Sequence, residues 1–263
     1  MIGVALGAVA IALTIAFAWF LKRDRPVYRN DLPRIYELRD SLPNPLAPNT
    51  YFRDLDNTLA AWPQKLKQFR DIESDLQGLD ATAWTYLKAE LTPLLTAKDE
   101  TRGWQQLVDK LNQAKAYNYL ASIGCTNIRF IPESKIRGQR TPDLEASAQG
   151  GHGVLCEVKT INVSENEANR LHDWSVGATT DQLPAAFFSK LARSVAQATA
   201  QMKAYSTDVT IRRIAYIIVN YDDRLHQCAD RYQVQINQCM PNNPTPGVEV
   251  RFDIKEAYYN AKA

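Results

Sequence analysis

The stretch Thr141-Pro142-Asp143-Leu144-Glu145-Ala146-Ser147-Ala148-Gln149-Gly150-Gly151-His152-Gly153-Val154-Leu155-Cys156-Glu157-Val158-Lys159-Thr160-Ile161 decides how the rest of the chain is read. Asp143 to Ala148 and the strongly apolar Val154 to Ile161 are two strands, and Gly150-Gly151-His152-Gly153 between them is a turn, which makes the pair a hairpin. Strand alternation sends Glu157 and Lys159 to one face and Val158 to the other, and the hairpin register can bring Asp143 beside Glu157. Two carboxylates and an ammonium next to an apolar run are unfavourable unless something compensates them, such as a bound divalent cation. Oxygen ligands at this density suit Mg²⁺, with Mn²⁺ as a substitute. Glu145 follows Asp143 by two residues, shares its face, and is a further candidate acid.

Working outward, helical periodicity runs from Arg102 to Ile123 through Trp104, Leu107, Val108, Leu111, Ala114 and Leu120, and Gly124 ends it. Asn127 to Pro132 reads as a strand before the hairpin. After a polar stretch, Pro184 opens a helix to Tyr205 with Phe188, Leu191, Val195, Ala198 and Met202 on its apolar face. Lys190, Ser194, Gln197 and Gln201 share the opposite face. Ile211 to Tyr221 is a strand apolar enough to be buried on both faces. A helix over 224–240 and a strand over 248–254 follow. The expected fold class is therefore α/β, an αβββαβ core with a mixed central sheet and an αβ extension.

The pattern Asp or Glu, any residue, Lys occurs three times, as Glu133-Ser134-Lys135, Glu157-Val158-Lys159 and Asp253-Ile254-Lys255. Only the middle one closely follows the chain's single Pro-Asp, with thirteen residues between Asp143 and Glu157. With the order of elements over 102–221, these residues resemble the PD-(D/E)xK nuclease superfamily, whose core is restriction-endonuclease-like. The resemblance implies Asp143, Glu157 and Lys159 as catalytic residues, with Mg²⁺ on Asp143, Glu157 and the backbone carbonyl of Val158. It further implies that Lys159 positions or activates water for hydrolysis of DNA phosphodiesters. Many members carry a glutamate on the helix before the first strand. Here Asn112 and Gln113 occupy that region, which weakens any two-metal mechanism and makes Gln113 a supporting candidate, with Glu145, Lys190, Gln197 and Gln201. Cutting both strands of a duplex calls for two sites, hence a homodimer.

Residues 2–21 carry no charge and as a helix reach about 30 Å, the hydrocarbon thickness of a bilayer. Lys22, Arg23, Arg25 and Arg29 follow against Asp24, which places the flank in the cytoplasm and the protein as a single-pass membrane protein with a cytoplasmic body. The expected organisation is an anchor over 1–21, a proline-rich linker over 22–50, a helical region over 51–100 and a nuclease-like domain over 101–263. The helical region has Leu55, Leu59, Trp62, Leu66 and Phe69 in its first apolar stripe, with Asp80 as N-cap of a helix running to Leu95.

The four cysteines form no CxxC pair, which argues against a zinc finger. The net charge of +2 leaves partners open, although Lys135, Arg137, Arg140, Arg212 and Arg213 form a candidate phosphate-binding set. Absence of GxSxG, Walker A, GxGxxG and HExxH motifs argues against serine hydrolases, P-loop NTPases, Rossmann dehydrogenases and zincins. Two other readings stay open: an inactive nuclease fold tethering nucleic acid or a protein at the membrane, and an interaction protein acting through its helices.

Overall fold

The computed structural model describes residues 28–100, 103–136, 138–161, 182–221, 229–239 and 247–256. The expected anchor over 2–21 lies outside them; among the described residues no helix is long and apolar enough to cross a membrane. The described chain is α/β: seven α-helices and a five-stranded mixed sheet in three layers.

The sheet follows sequence order, with β1 (Thr126–Phe130), β2 (Leu144–Ser147), β3 (Gly153–Ile161), β4 (Arg212–Tyr221) and β5 (Glu249–Glu256) as successive neighbours. β1, β2 and β3 pair antiparallel, whereas β3, β4 and β5 run parallel. The hairpin supplies the antiparallel part. The parallel part needs long crossovers, and the helices α6 (Ala185–Tyr205) and α7 (Ala229–Cys239) lie in them.

Alternation along the strands splits the core in two. On one side Leu155, Ile161, Ala215, Ile217 and Val219 pack with Leu191, Val195, Ala198 and Met202 of α6 and with Tyr232 and Ile236 of α7. On the other, Val154, Cys156, Val158, Ile214, Tyr216 and Ile218 meet α5 (Gln105–Ser122) and the helices that precede it. α5 is buried around most of its circumference, which explains why small Ala114 and Ala116 alternate with Leu111, Tyr117 and Leu120. Gly124 closes it at φ +81°, where any side chain would strain the backbone, and the Cys125 N–H donates to the Leu120 carbonyl at 3.0 Å.

The N-terminal helices form the outer layer: α1 (Pro33–Asp40), α2 (Leu55–Ala61), α3 (Pro63–Gln77) and α4 (Ala81–Leu91). They share one continuous core with α5 and its face of the sheet. The linker expected over 22–50 is therefore corrected for residues 28–50. Leu32, Ile35, Tyr36 and Leu38 are fully buried, because Pro33 starts a helix that packs into the core instead of stiffening a spacer. Trp62, expected in the apolar stripe, is 64% exposed. It precedes Pro63, which disfavours helical backbone at that position, and its extended φ −129°, ψ 94° separates α2 from α3. Asp80 does cap α4, accepting from the Ala83 N–H at 2.8 Å. The α-helix stops at Leu91, short of Leu95, because Pro93 removes a donor and the chain tightens into a 3₁₀ turn, Thr92–Thr96.

One buried carboxyl ties two helices of this layer together. Glu73 of α3, 2% exposed, accepts from the N–H groups of Arg34 at 3.1 Å and Ile35 at 2.9 Å, which satisfies the first turn of α1 from another helix. Glu73→Ala leaves those donors without that acceptor and is expected to lower stability by about 2 kcal/mol in urea unfolding, with Glu73→Gln intermediate. An unchanged midpoint in Glu73→Ala would contradict this role.

Candidate metal-binding carboxylate site

The site forms where β2 runs out. β2 has four residues against nine in β3, and the last paired residues are Leu144 and Cys156. Beyond that point the Val158 N–H faces an edge without a strand. Asp143, immediately before β2, fills the gap with its side chain, Oδ2 accepting from Val158 N at 2.8 Å. The backbone of Asp143 is fixed in turn, since its carbonyl accepts from the Ile131 N–H at 2.9 Å at the end of β1. A strand residue points its N–H and C=O to the same edge, so the Val158 carbonyl is directed to the side on which Asp143 lies.

Each helical layer sends one amide to this gap. From α5, Gln113 Nε2 donates to Asp143 Oδ1 at 2.6 Å. From α6, Gln201 Nε2 donates to Glu157 Oε2 at 2.9 Å and to the Thr141 carbonyl at 2.6 Å. Lys159 Nζ pairs with Glu157 Oε1. All four carboxyl oxygens thus accept from protein donors. Glu157 is 2% exposed, whereas the Lys159 side chain is 24% exposed and is the more solvent-accessible member of the pair. Asp143 is half-buried as a residue, its carboxyl turned inward onto Gln113 and Val158.

Burial governs the charge of the pair. It raises the Asp143 carboxyl, opposed by the Val158 N–H, by Lys159 and Lys110, and by a hydrogen bond from Glu157. Burial also pushes Glu157 up to about 8, reinforced by the charge of Asp143 and opposed by Lys159. Two carboxyls this close do not both ionise readily, so the pair holds a proton well above the ordinary carboxylate range. That arrangement suits a hard divalent cation, whose charge would replace that proton. Each carboxylate oxygen has a second lone pair, and the Val158 carbonyl extends the oxygen set. Among the described residues no group of three or more His, Cys, Asp or Glu side chains is arranged around a common centre. A cation here would therefore have to draw on two carboxyls, one backbone carbonyl and water, a set within the range Mg²⁺ accepts.

The other candidate residues divide. Gln113 and Gln201 reach the carboxyls. Glu145 does not: its Oε1 pairs with Arg129 Nε of β1 at 2.5 Å, opposite it in the ladder. Gln197 is exposed and Lys190 partly buried. Arg212 pairs with Glu249 at 2.6 Å, and the guanidinium of Arg213, a residue 7% exposed, donates to the carbonyls of Ile211, Ser206 and Asp208. Both hold the turn and edge around β4, so the expected phosphate-binding set reduces to exposed Lys135 and Arg140; Arg137 lies outside the described residues. Asn112, next to Gln113, turns elsewhere, its Nδ2 donating to Thr160 Oγ1 at 3.0 Å. One polar neighbour was not anticipated: Lys110, one turn before Gln113, joins Glu90 and Glu133. Its spacing of three from Gln113 is the signal that identifies it in the sequence.

The raised Glu157 carboxyl gives a pH signature in metal-free protein. The ordinary value is 4.5 and the folded value about 8, so between them the folded chain binds more protons than the unfolded one. This contribution to stability is fully present below about pH 4.5 and is lost as pH rises through about 8. In chelator, the stability of the native chain relative to Glu157→Gln is expected to fall by on the order of a few kcal/mol across that window. Parallel pH profiles for the two proteins would contradict the retained proton.

Compared with known proteins, the chain matches no family model, no curated protein and no solved structure, so its chemistry is read from this constellation.

Proposed function

We propose that the protein is a Mg²⁺-dependent nuclease that hydrolyses DNA phosphodiester bonds, built on a restriction-endonuclease-like core. The observation that carries this reading is the meeting of Asp143 and Glu157 at the end of β2, with Lys159 on Glu157 at the solvent side. Asp143, Glu157 and the Val158 carbonyl would hold the cation, with Mn²⁺ able to replace Mg²⁺. When bound, the ion supplies Lewis acidity at a phosphoryl oxygen and charge for the transition state.

The side chains divide the remaining work. Gln113 and the Val158 N–H orient Asp143, and Gln201 orients Glu157 while tying it to the backbone of Thr141. Lys159, paired with Glu157 and the more exposed of the two, is the ammonium that would meet the attacking water and the scissile phosphate. Lys135 and Arg140, in the loop before Asp143, would meet the DNA backbone. We place the body on the cytoplasmic face of a bilayer, anchored by residues 2–21, and expect a homodimer when both strands of a duplex are cut.

A second reading is favoured by one observation: every oxygen of the two carboxyls already has a protein donor. In that reading the fold is catalytically silent and tethers nucleic acid or a protein partner at the membrane. The purified full-length chain is expected to cleave DNA with Mg²⁺ and to stop in chelator, with Asp143→Asn and Lys159→Ala each slowing cleavage by on the order of a hundredfold or more. Cleavage that persists in both variants would overturn the nuclease reading, and metal-independent DNA binding without cleavage would favour the silent fold.

A further inference from the structure

The two edges of the sheet are built differently. At β1 the pairing is irregular between Thr126 and Arg129, and Asn127 sits at φ +51°, so that edge presents no regular ladder to a further strand. At the other edge β5 pairs with β4 without interruption, from Glu249 on Ile214 to Glu256 on Tyr221. Among the described residues β4 is its only neighbour in the sheet. A strand turns the N–H and C=O groups of alternate residues to opposite edges, so half of the β5 backbone is directed away from the sheet, a template for one more strand.

The residues of β5 select which strand fits. Glu249-Val250-Arg251-Phe252-Asp253-Ile254-Lys255 alternates charged and apolar residues, and the charged ones alternate in sign. Glu249 and Arg251 are exposed and Asp253 is half-buried, whereas Val250 and Phe252 pack against the core beneath α6 and α7. Laid antiparallel on a second copy of itself with Phe252 opposite Phe252, β5 sets Arg251 opposite Asp253 and Glu249 opposite Lys255, each pair occurring twice by symmetry. A shift of two residues one way sets Arg251 against itself and Glu249 against Asp253. The same shift the other way sets Asp253 against itself and Arg251 against Lys255. A shift of one residue puts charged residues opposite apolar ones. Opposite charges facing one another across a ladder stabilise it and like charges destabilise it, so the Phe252-centred register is the favourable one.

The same charges are fixed within the chain. Glu249 accepts from Arg212 at 2.6 Å and from the Tyr119 hydroxyl at 3.1 Å, Asp253 meets Lys115 at 2.8 Å and the Tyr216 hydroxyl at 3.0 Å, and Arg251 lies over the Tyr119 ring at 5.5 Å. These contacts hold the charged row in place, and each carboxylate has further lone pairs for a cation across the edge. Charge on an edge strand also serves solubility, but a row of lysines would do that as well; the alternation of sign is what matches a second copy.

We propose that β5 is the dimer interface of this protein: two copies pair their β5 strands antiparallel about a twofold axis at Phe252 and form one continuous sheet of ten strands, five from each. This names the surface for the homodimer of the proposed function and does not depend on the carboxylate site being catalytic. β3 of each copy lies two strands in from β5, so five strand spacings, about 24 Å, separate the two β3 strands across the sheet.

The test is sedimentation of the full-length chain in nonionic detergent over a range of concentrations, with folding followed by circular dichroism and the 249–256 amides followed by deuterium exchange. The native chain is expected to form a dimer in which those amides exchange at least about tenfold more slowly than in the dilute monomer. Arg251→Asp/Lys255→Glu is expected to weaken the dimer on the order of a hundredfold, and so is Glu249→Lys/Asp253→Lys. Mixed one to one, the two variants are expected to pair with each other, because each supplies the charge the other has lost; damage to the fold would not be rescued in this way. A monomeric native chain would overturn the inference. So would a dimer whose 249–256 amides exchange at the monomer rate, a dimer unchanged in Arg251→Asp/Lys255→Glu, or failure of the two folded variants to pair. If Glu249→Lys/Asp253→Lys does not fold without its contacts to Arg212 and Lys115, the first variant and the amide exchange decide the matter. Asp143→Asn is expected to remain a dimer, which separates this outcome from that of the carboxylate site.

Discussion

A β-strand that ends early leaves its neighbour with backbone donors to satisfy, and this structure answers that need with a carboxylate. β2 begins only at Leu144, and Asp143, just before it, turns its side chain to the Val158 N–H that a longer strand would have paired. Because an unsatisfied buried N–H is costly, the backbone of β3 and the side chain of Asp143 are bound to one another. Glu157 is the residue before Val158, so the same bond sets the two carboxyls together. Gln113 and Gln201 then join the site from opposite faces of the sheet, and both helical layers meet the strands at one polar point within an otherwise apolar core.

Such a point is expensive to bury, and its protonation shows how the expense is limited. Glu157 keeps a proton far above the ordinary carboxylate range because burial and Asp143 outweigh Lys159. A fold that needed only stability would do as well with apolar residues here. Retaining two carboxyls, two amides and a lysine in one enclosed place is the pattern of a site poised for a charged ligand.

The outer helices take part in this arrangement. They are not a module separate from the α/β unit: Leu32, Tyr36, Leu76, Leu87 and Leu91 belong to the core that also holds Cys156 and Ile214. Glu73 satisfies α1 from α3, Asp80 caps α4 and accepts from the Tyr117 hydroxyl of α5 at 2.9 Å, and Glu90 reaches Lys110.

What the sequence determined by itself was local. Strand alternation through Glu157-Val158-Lys159, the helix ending at Gly124, the cap at Asp80 and the hairpin across the glycine turn all follow from neighbours a few residues apart, and all were legible from the residues alone. The tertiary structure decided what depends on distant partners. Periodicity could not reveal that 28–50 packs into the core, because its prolines suit a spacer and a helix start equally. It could not separate Gln113, which reaches Asp143, from Glu145, which Arg129 claims across the ladder, because both face selection and charge allowed either. It could not assign Arg213 to the turn carbonyls or Lys110 to two glutamates from other elements. A polar side chain takes its role from the group it meets, and in these cases that group was brought near only when the strands and helices had packed.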